Sequence, residues 1–413
     1  MLKTTDPQGR ITQTEYDANN KVIAEIDVLG QRTEHQYNAK GQEVLIRYPD
    51  HTSAAFEYDG NGNRLKETDR AGRSTLMAYD AANRLVKTTY PDGTTARTEY
   101  DAAGRTLAQI DANNNRTEFE FDNAGRQILT RDALGHEIRT EYDSKGQRVA
   151  SLDAKNRRTQ YEYDLTGKQL AVVYPDGTRT ATEYNSIGQK TAQIDQAAIK
   201  TQYESNAVGA LTAVVDVANH RTEYSYDVQG NKLTQKDANN HITRWDYDNL
   251  GRVIHRTLPL GQVENLQYDA VGNLIQRTDF NGNVTTYEYE PLNNHLLKTN
   301  YADGSSEQFS YDVMGHRTQA IQIDSQNNQR VTHWDYDVRD RLVKETQADG
   351  TTLEYQYDAN GNRIQVKLTQ VGKAAVVTNY SYDALNRLLT VTDASGLTSY
   401  GYDEVGNRTS VSP

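Results

Sequence analysis

Along this chain polar and apolar residues alternate with a period of two over short runs, and the runs themselves return every 21 residues. A tyrosine closes one run of each period. Tyr16, Tyr37, Tyr58, Tyr79, Tyr100, Tyr142, Tyr163, Tyr184, Tyr226, Tyr247, Tyr268 and Tyr289 keep the spacing, with Phe121 and Ser205 at the two remaining positions. Two residues earlier stands an aromatic in most copies, as in Phe56, Phe119, Tyr161, Tyr224, Trp245 and Trp334; four earlier it is usually Thr, as in Thr117, Thr222 and Thr243. Residues two apart share a face of a strand, and β-branched and aromatic side chains suit that face. The pattern therefore predicts strands with a Thr/aromatic/Tyr face and an opposite face carrying Glu15, Glu99, Glu120 and Glu141. A second run in each period carries an aliphatic residue seven after the tyrosine, such as Ile23, Val44, Leu65 and Leu107.

Turn signals separate the runs. Four residues after the tyrosine comes Gly41, Gly62, Gly104, Gly125 or Gly146, replaced in some copies by Asn20, Asn83, Asn293, Asn386 or Asp340. Gly, then Asn and Asp, is the order of preference for a backbone at positive φ, so this position reads as a left-handed turn residue. The Asp after the tyrosine can fold its carboxylate onto the turn's own amides. A second turn follows about ten residues on, written Tyr90-Pro91-Asp92-Gly93 or Asp132-Ala133-Leu134-Gly135. Two turns per period leave two strand-length segments, so each repeat is a hairpin. After Tyr289 the copies begin at Tyr311, Tyr336, Tyr357, Tyr382 and Tyr402, with steps of 20 to 25 residues.

The expected fold is all-β: a long antiparallel meander of about 38 strands curling into a spiral shell, because an open twisted sheet rarely exceeds about ten strands without winding on itself. A parallel β-helix is the alternative, although its coils stack aliphatic side chains inward where this chain offers Tyr and Thr. The domain organisation expected is a single array over residues 1–413, truncated at both ends relative to a complete protein of its kind.

Composition alters this picture little. Mean hydropathy is −0.86 and net charge −12, values compatible with disorder, yet 28 Tyr against 5 Phe at fixed intervals argue for order. The absence of cysteine excludes disulfides, thiolate nucleophiles and Cys-based zinc sites. An evenly spread acidic charge argues against nucleic acid as a partner. No apolar run approaches the roughly 20 residues of a membrane span, and the first ten residues lack the signature of a signal peptide.

Candidate chemistry is sparse. Catalytic pairs are unique within a site, whereas Asp59, Asp80, Asp101, Asp122 and Asp143 are equivalent turn residues. His136, His220 and His241 share one repeat position, and neighbouring copies two strands apart stand too far from each other to share a metal. Asp237-Ala238-Asn239-Asn240-His241 lacks the ordered ligand spacing of a calcium loop. The sequence thus points to no catalytic, cofactor or metal site; Trp245 and Trp334 are the candidate glycan or cargo contacts, within an amphipathic Tyr/Thr face.

The motif written Tyr100-Asp101-Ala102-Ala103-Gly104-Arg105-Thr106-Leu107 and Tyr357-Asp358-Ala359-Asn360-Gly361-Asn362-Arg363-Ile364 resembles that of the YD-repeat, or RHS, family. The resemblance covers the whole chain. It implies a hollow shell that encloses a C-terminal toxin or unfolded polypeptide in a secreted bacterial protein, as in polymorphic effectors and toxin-complex C components; animal teneurins use a related shell in adhesion. A carbohydrate-binding or cell-surface adhesion module is the second reading. Asp6-Pro7-Gln8-Gly9 echoes the family's cleavage signature, but Arg10 stands where that signature has Leu, and its place in the period makes it a second turn.

Overall fold

The computed structural model describes residues 2–413 and consists of 39 β-strands in one sheet. Each strand pairs with the next in sequence, and every pairing is antiparallel, from Leu2–Thr5 against Ile11–Tyr16 to Gly396–Tyr402 against Arg408–Ser412. This is the meander that the period implies, and it excludes the β-helix. The regular unit is a six-residue strand ending in the repeat tyrosine, such as Thr95–Tyr100, and a five-residue strand such as Thr106–Ile110.

The two turns of a unit are one motif used twice. After Tyr79, the Asp80 amide donates to the Arg84 carbonyl and the Asn83 amide to the Asp80 carbonyl, both at 3.0 Å. After Arg131, Asp132, His136 and Gly135 repeat the same bonds. The fourth position has positive φ in all but two of the turns, at Gly104 (85°) as at Asn114 (67°); in the turn begun by Gln370 it falls on the third residue, Gly372 (74°). Asp6-Pro7-Gln8-Gly9 is such a turn, with Gly9 at 81°. Two positions depart from expectation. The turn after Tyr289 holds one extra residue, so positive φ falls on Asn294 rather than on Asn293, and Ala198 adopts 60° with neither Gly nor Asn to ease it.

Only the turn after the tyrosine is accompanied by a β-bulge. The register slips between Glu99 and Tyr100, between Glu120 and Phe121, and at the matching place in each later copy, while the strand pair across the second turn keeps its register. A bulge bends its strand and increases local twist. One bulge per 21 residues, always at the same place, adds in one direction and curls the ribbon.

The sheet has no second layer packed on it, and among the described residues no large side chain is fully buried. Its innermost side chains are small: Ala24, Ala108, Ala150, Ala171, Ala192 and Ala213, eight residues after the repeat tyrosine, one beyond the aliphatic position singled out from the sequence. Ala108 lies directly between Glu99 and Glu118 of its two neighbouring strands. Arg116 joins those carboxylates at 2.8 and 2.9 Å. Arg221 spans Glu204 and Glu223 around Ala213 in the same way. The glutamate face of the wall is thus a lattice of ion pairs over a row of methyl groups.

Candidate functional site

What the repeat builds is a ladder that runs from hairpin to hairpin on the tyrosine side. The carboxylate of Asp101 accepts the Arg105 amide at 2.9 Å on one oxygen and Arg105 Nε at 2.6 Å on the other. Arg105 Nη1 donates to the Asp122 carbonyl of the next repeat at 3.1 Å, and its guanidinium lies 5.2 Å from the centre of the Phe121 ring. Arg84, Arg126, Arg252, Arg341 and Arg387 repeat this with Tyr100, Tyr142, Tyr268, Tyr357 and Tyr402. The tyrosine hydroxyl reaches the other way, to a carbonyl of the preceding repeat: Tyr100 to Leu85 at 3.0 Å, Tyr268 to Val253 at 2.9 Å. Amide donation from Arg105 and from Arg126 holds Asp101 and Asp122 below the usual carboxylate range, with the guanidinium bonds reinforcing it. Burial pushes the phenols of Tyr247, Tyr268 and Tyr289 up.

The repeated chemistry therefore serves the fold. Asp59 and Asp80 receive their own turns' amides. His136, His220 and His241 occupy the arginine's place in the motif, each with Nδ1 at 2.9 to 3.0 Å from its turn carboxylate. Among the described residues no cluster of three His, Asp or Glu could hold a metal ion. Trp245 is half-buried, with the Lys232 ammonium 4.0 Å from its ring centre; Trp334 is half-buried as well, opposite Glu345. No helix among the described residues is long and apolar enough to cross a membrane.

One feature the sequence does not announce brings distant repeats together. The second turns of the first eight hairpins lie against the tyrosine-side turns of the last eight. Gln8 reaches Asp248, and Arg10 the Ala270 carbonyl. Arg339 packs on the Tyr90 ring and donates to Thr94 at 3.1 Å. Asn113 and Asn360 exchange bonds with Asp358 and Asp111, and Lys155 meets Asp403 at 2.6 Å. A cavity of about 290 Å³ lined by His136, Ile138, Leu385, Arg387 and Val405 lies on the same line. Most of these partners are 245 to 249 positions apart. At 21 residues per repeat, 247 residues make about twelve hairpins per winding, a circumference of about 115 Å at two strands per hairpin. The wall is a ribbon wound on itself and sealed edge to edge.

A single-layer wall of YD hairpins closed by such a seam defines a repeat-built shell protein. The profile of the RHS Repeat family matches residues 16–53, 58–95, 100–137, 142–179, 268–305, 336–372 and 378–412, and the chain belongs to that family. Solved structures with the same fold include the TcdB2-TccC3-Cdc42 complex, with a TM-score of 0.77 at 16% identity over 97% of this chain and 28% of that one. TcdB2-TccC3 without its hypervariable C-terminal region gives 0.76 at 16% identity, over 97% and 27%. The Tc holotoxin pore of Photorhabdus luminescens gives 0.57 at 18% identity, over 97% and 25%. The chain thus spans about a quarter of each of these. No curated protein matches it in sequence.

Proposed function

We propose that this chain is a section of an encapsulating shell wall in a secreted bacterial protein, and that the shell sequesters a polypeptide, the C-terminal toxin of the parent protein being the occupant that the family resemblance favours. The seam carries this reading. An isolated sheet with exposed edges would serve adhesion equally well, but two windings fastened turn to turn by Arg339, Asn360 and Lys155 make a barrier. The Tyr/Thr face suits the inner surface, because rings and hydroxyls contact a polypeptide without requiring one shape. The structural role leaves the repeated carboxylates no catalytic part.

The test is protease protection of a reporter polypeptide fused behind the repeats of the parent protein. Protection is expected with the native seam. Digestion at the rate of free reporter would overturn the proposal.

A further inference from the structure

One copy in the regular run lacks the ring that closes its strand. Ser205 stands in its place, and the backbone around it is that of the sister copies. The register slips between Glu204 and Ser205, the Asn206 amide donates to the Ala210 carbonyl at 2.9 Å, and Gly209 keeps positive φ. The link from the preceding hairpin survives as well: Gln189, at the arginine's position in the motif, donates from Nε2 to the Asn206 carbonyl at 3.2 Å. Beside Ser205 is a cavity of about 340 Å³ lined by Gln189, Lys190, Thr191, Tyr203, Ser205 and Thr212.

The frame that holds a phenol elsewhere is intact here. In sister copies the tyrosine hydroxyl donates to the carbonyl 15 positions earlier, Tyr163 to Arg148 at 2.9 Å and Tyr357 to Leu342 at 2.6 Å. Tyr357 has its turn in the seam and Tyr163 does not, so the place of the ring is defined within a pair of hairpins and not by what lies beyond the turn. The equivalent carbonyl at the gap belongs to Lys190, and among the described residues no tyrosine hydroxyl reaches it, because Ser205 stands where the ring would begin. The Tyr203 ring flanks the gap, with the Lys190 ammonium 4.4 Å from its centre. The lining departs from the repeat in a second way. From Ile23 to Leu296 the residue seven after the tyrosine position is aliphatic except in the two copies that flank the gap, where it is Thr191 and Thr212. A polar lining holds water instead of enclosing a dry void, and it offers hydrogen bonds to whatever displaces that water.

We infer that the gap at Ser205 receives a tyrosine side chain from a polypeptide held against the wall. The surrounding groups select the occupant. They are those that hold a tyrosine in sister copies: a carbonyl of the preceding repeat for the hydroxyl, and the side chain at the arginine position for the ring face. The hydroxyls of Thr191 and Thr212 suit the peptide groups that flank such a ring. Tyrosine is a favoured anchor at protein interfaces because it buries a large rigid area with few torsions to freeze. The gap lies on the Tyr/Thr face, the inner surface in the shell reading. The inference rests on that reading for the source of the polypeptide and deepens it by naming one group that the wall takes hold of.

Titration of the full purified chain with N-acetyltyrosinamide, followed by saturation-transfer NMR, tests this. Binding is expected with a Kd on the order of 1 mM, as suits a single ring. N-acetylphenylalaninamide should bind about fivefold more weakly for want of the hydroxyl. Ser205→Tyr and Ser205→Phe install rings that sister copies already carry. Each is expected to bind N-acetyltyrosinamide at least tenfold more weakly with unchanged far-ultraviolet circular dichroism, and Ser205→Tyr should also melt higher than wild type. Absence of binding, unchanged affinity in the two variants, or equal affinity for the two amides would each overturn the inference. So would binding of p-cresol or of methyl glucoside without binding of the tyrosine amide, which would assign the gap to a free phenol or to a sugar. Cargo protection measured in parallel keeps the two readings apart: protection without tyrosine binding leaves the shell standing and removes this site.

Discussion

Lys155 and Asp403, 248 positions apart, meet at 2.6 Å where one winding of the wall rests on the next. That contact holds the Asp403 carboxyl well below the usual carboxylate range. It is one of several polar fastenings, most of them between half-buried side chains such as Asn113 with Asp358 and Asn360 with Asp111, each worth about 1 kcal/mol. Removing two of them, in Lys155→Ala with Asn360→Ala, is expected to open the seam while leaving the strands paired. Small-angle scattering should show a larger maximum dimension with unchanged circular dichroism; an unchanged dimension would mean that curvature, and not the seam, sets the winding.

The tyrosine hydroxyl links each hairpin to the one before it, and Tyr268→Phe removes that bond alone. The expected loss is about 1 kcal/mol, read as a lower denaturation midpoint with the ring still stacked under Arg252.

Ala150 has no exposed surface and sits opposite Glu141, which Arg158 binds at 2.5 Å. Ala150→Leu must displace that pair and should destabilise by about 1 to 3 kcal/mol. The same change at exposed Ala103, in a turn, is expected to stay within about 0.5 kcal/mol. Equal effects at the two sites in thermal melts would show that the alanine row is not a packing constraint.

Ala198 holds a left-handed backbone at 60°. Ala198→Gly relieves a conformation unfavourable for L-residues and is expected to stabilise by about 1 kcal/mol, the direction opposite to that of most glycine substitutions in strands. A lowered melting temperature would contradict the assigned turn.

The turn carboxylates give the wall an acid limit. Asp101 and Asp122 titrate lower in the fold than their free value, through the Arg105 and Arg126 amides first. Their contribution is complete above the unfolded value of about 3.9 and is lost as pH falls through the lower folded values. The melting temperature should therefore hold between pH 7 and about 5 and fall below about 4. At the other extreme, burial raises the phenols of Tyr247 and Tyr289, so stability is lost as pH climbs past about 10. A melting temperature that declines evenly from pH 7 to 4 would show that other groups control acid stability.

The period, the hairpins and the antiparallel order were legible in the sequence because Tyr100, Asp101 and Gly104 act locally, through turn geometry and alternation. Asn294 escaped because a single inserted residue shifts the left-handed position without changing composition. The buried row at Ala108 and Ala150 escaped for another reason: alanine gives no apolar signal, and its burial comes from the ion pairs around it. The pairing of Asn113 with Asn360 depends on the radius of the winding. That radius is the sum of many small bends at bulges such as Glu99/Tyr100, and no local motif encodes a sum.

Because every strand bonds only to its sequence neighbours, the wall can be laid down as the polypeptide is made. Each hairpin becomes stable on its predecessor after about 21 further residues, and local pairing of this sort favours rapid assembly over search. Fastening between windings must wait until about 247 residues have emerged. During that interval the flank of the nascent ribbon stays open, so closure of the wall trails strand pairing by one full winding.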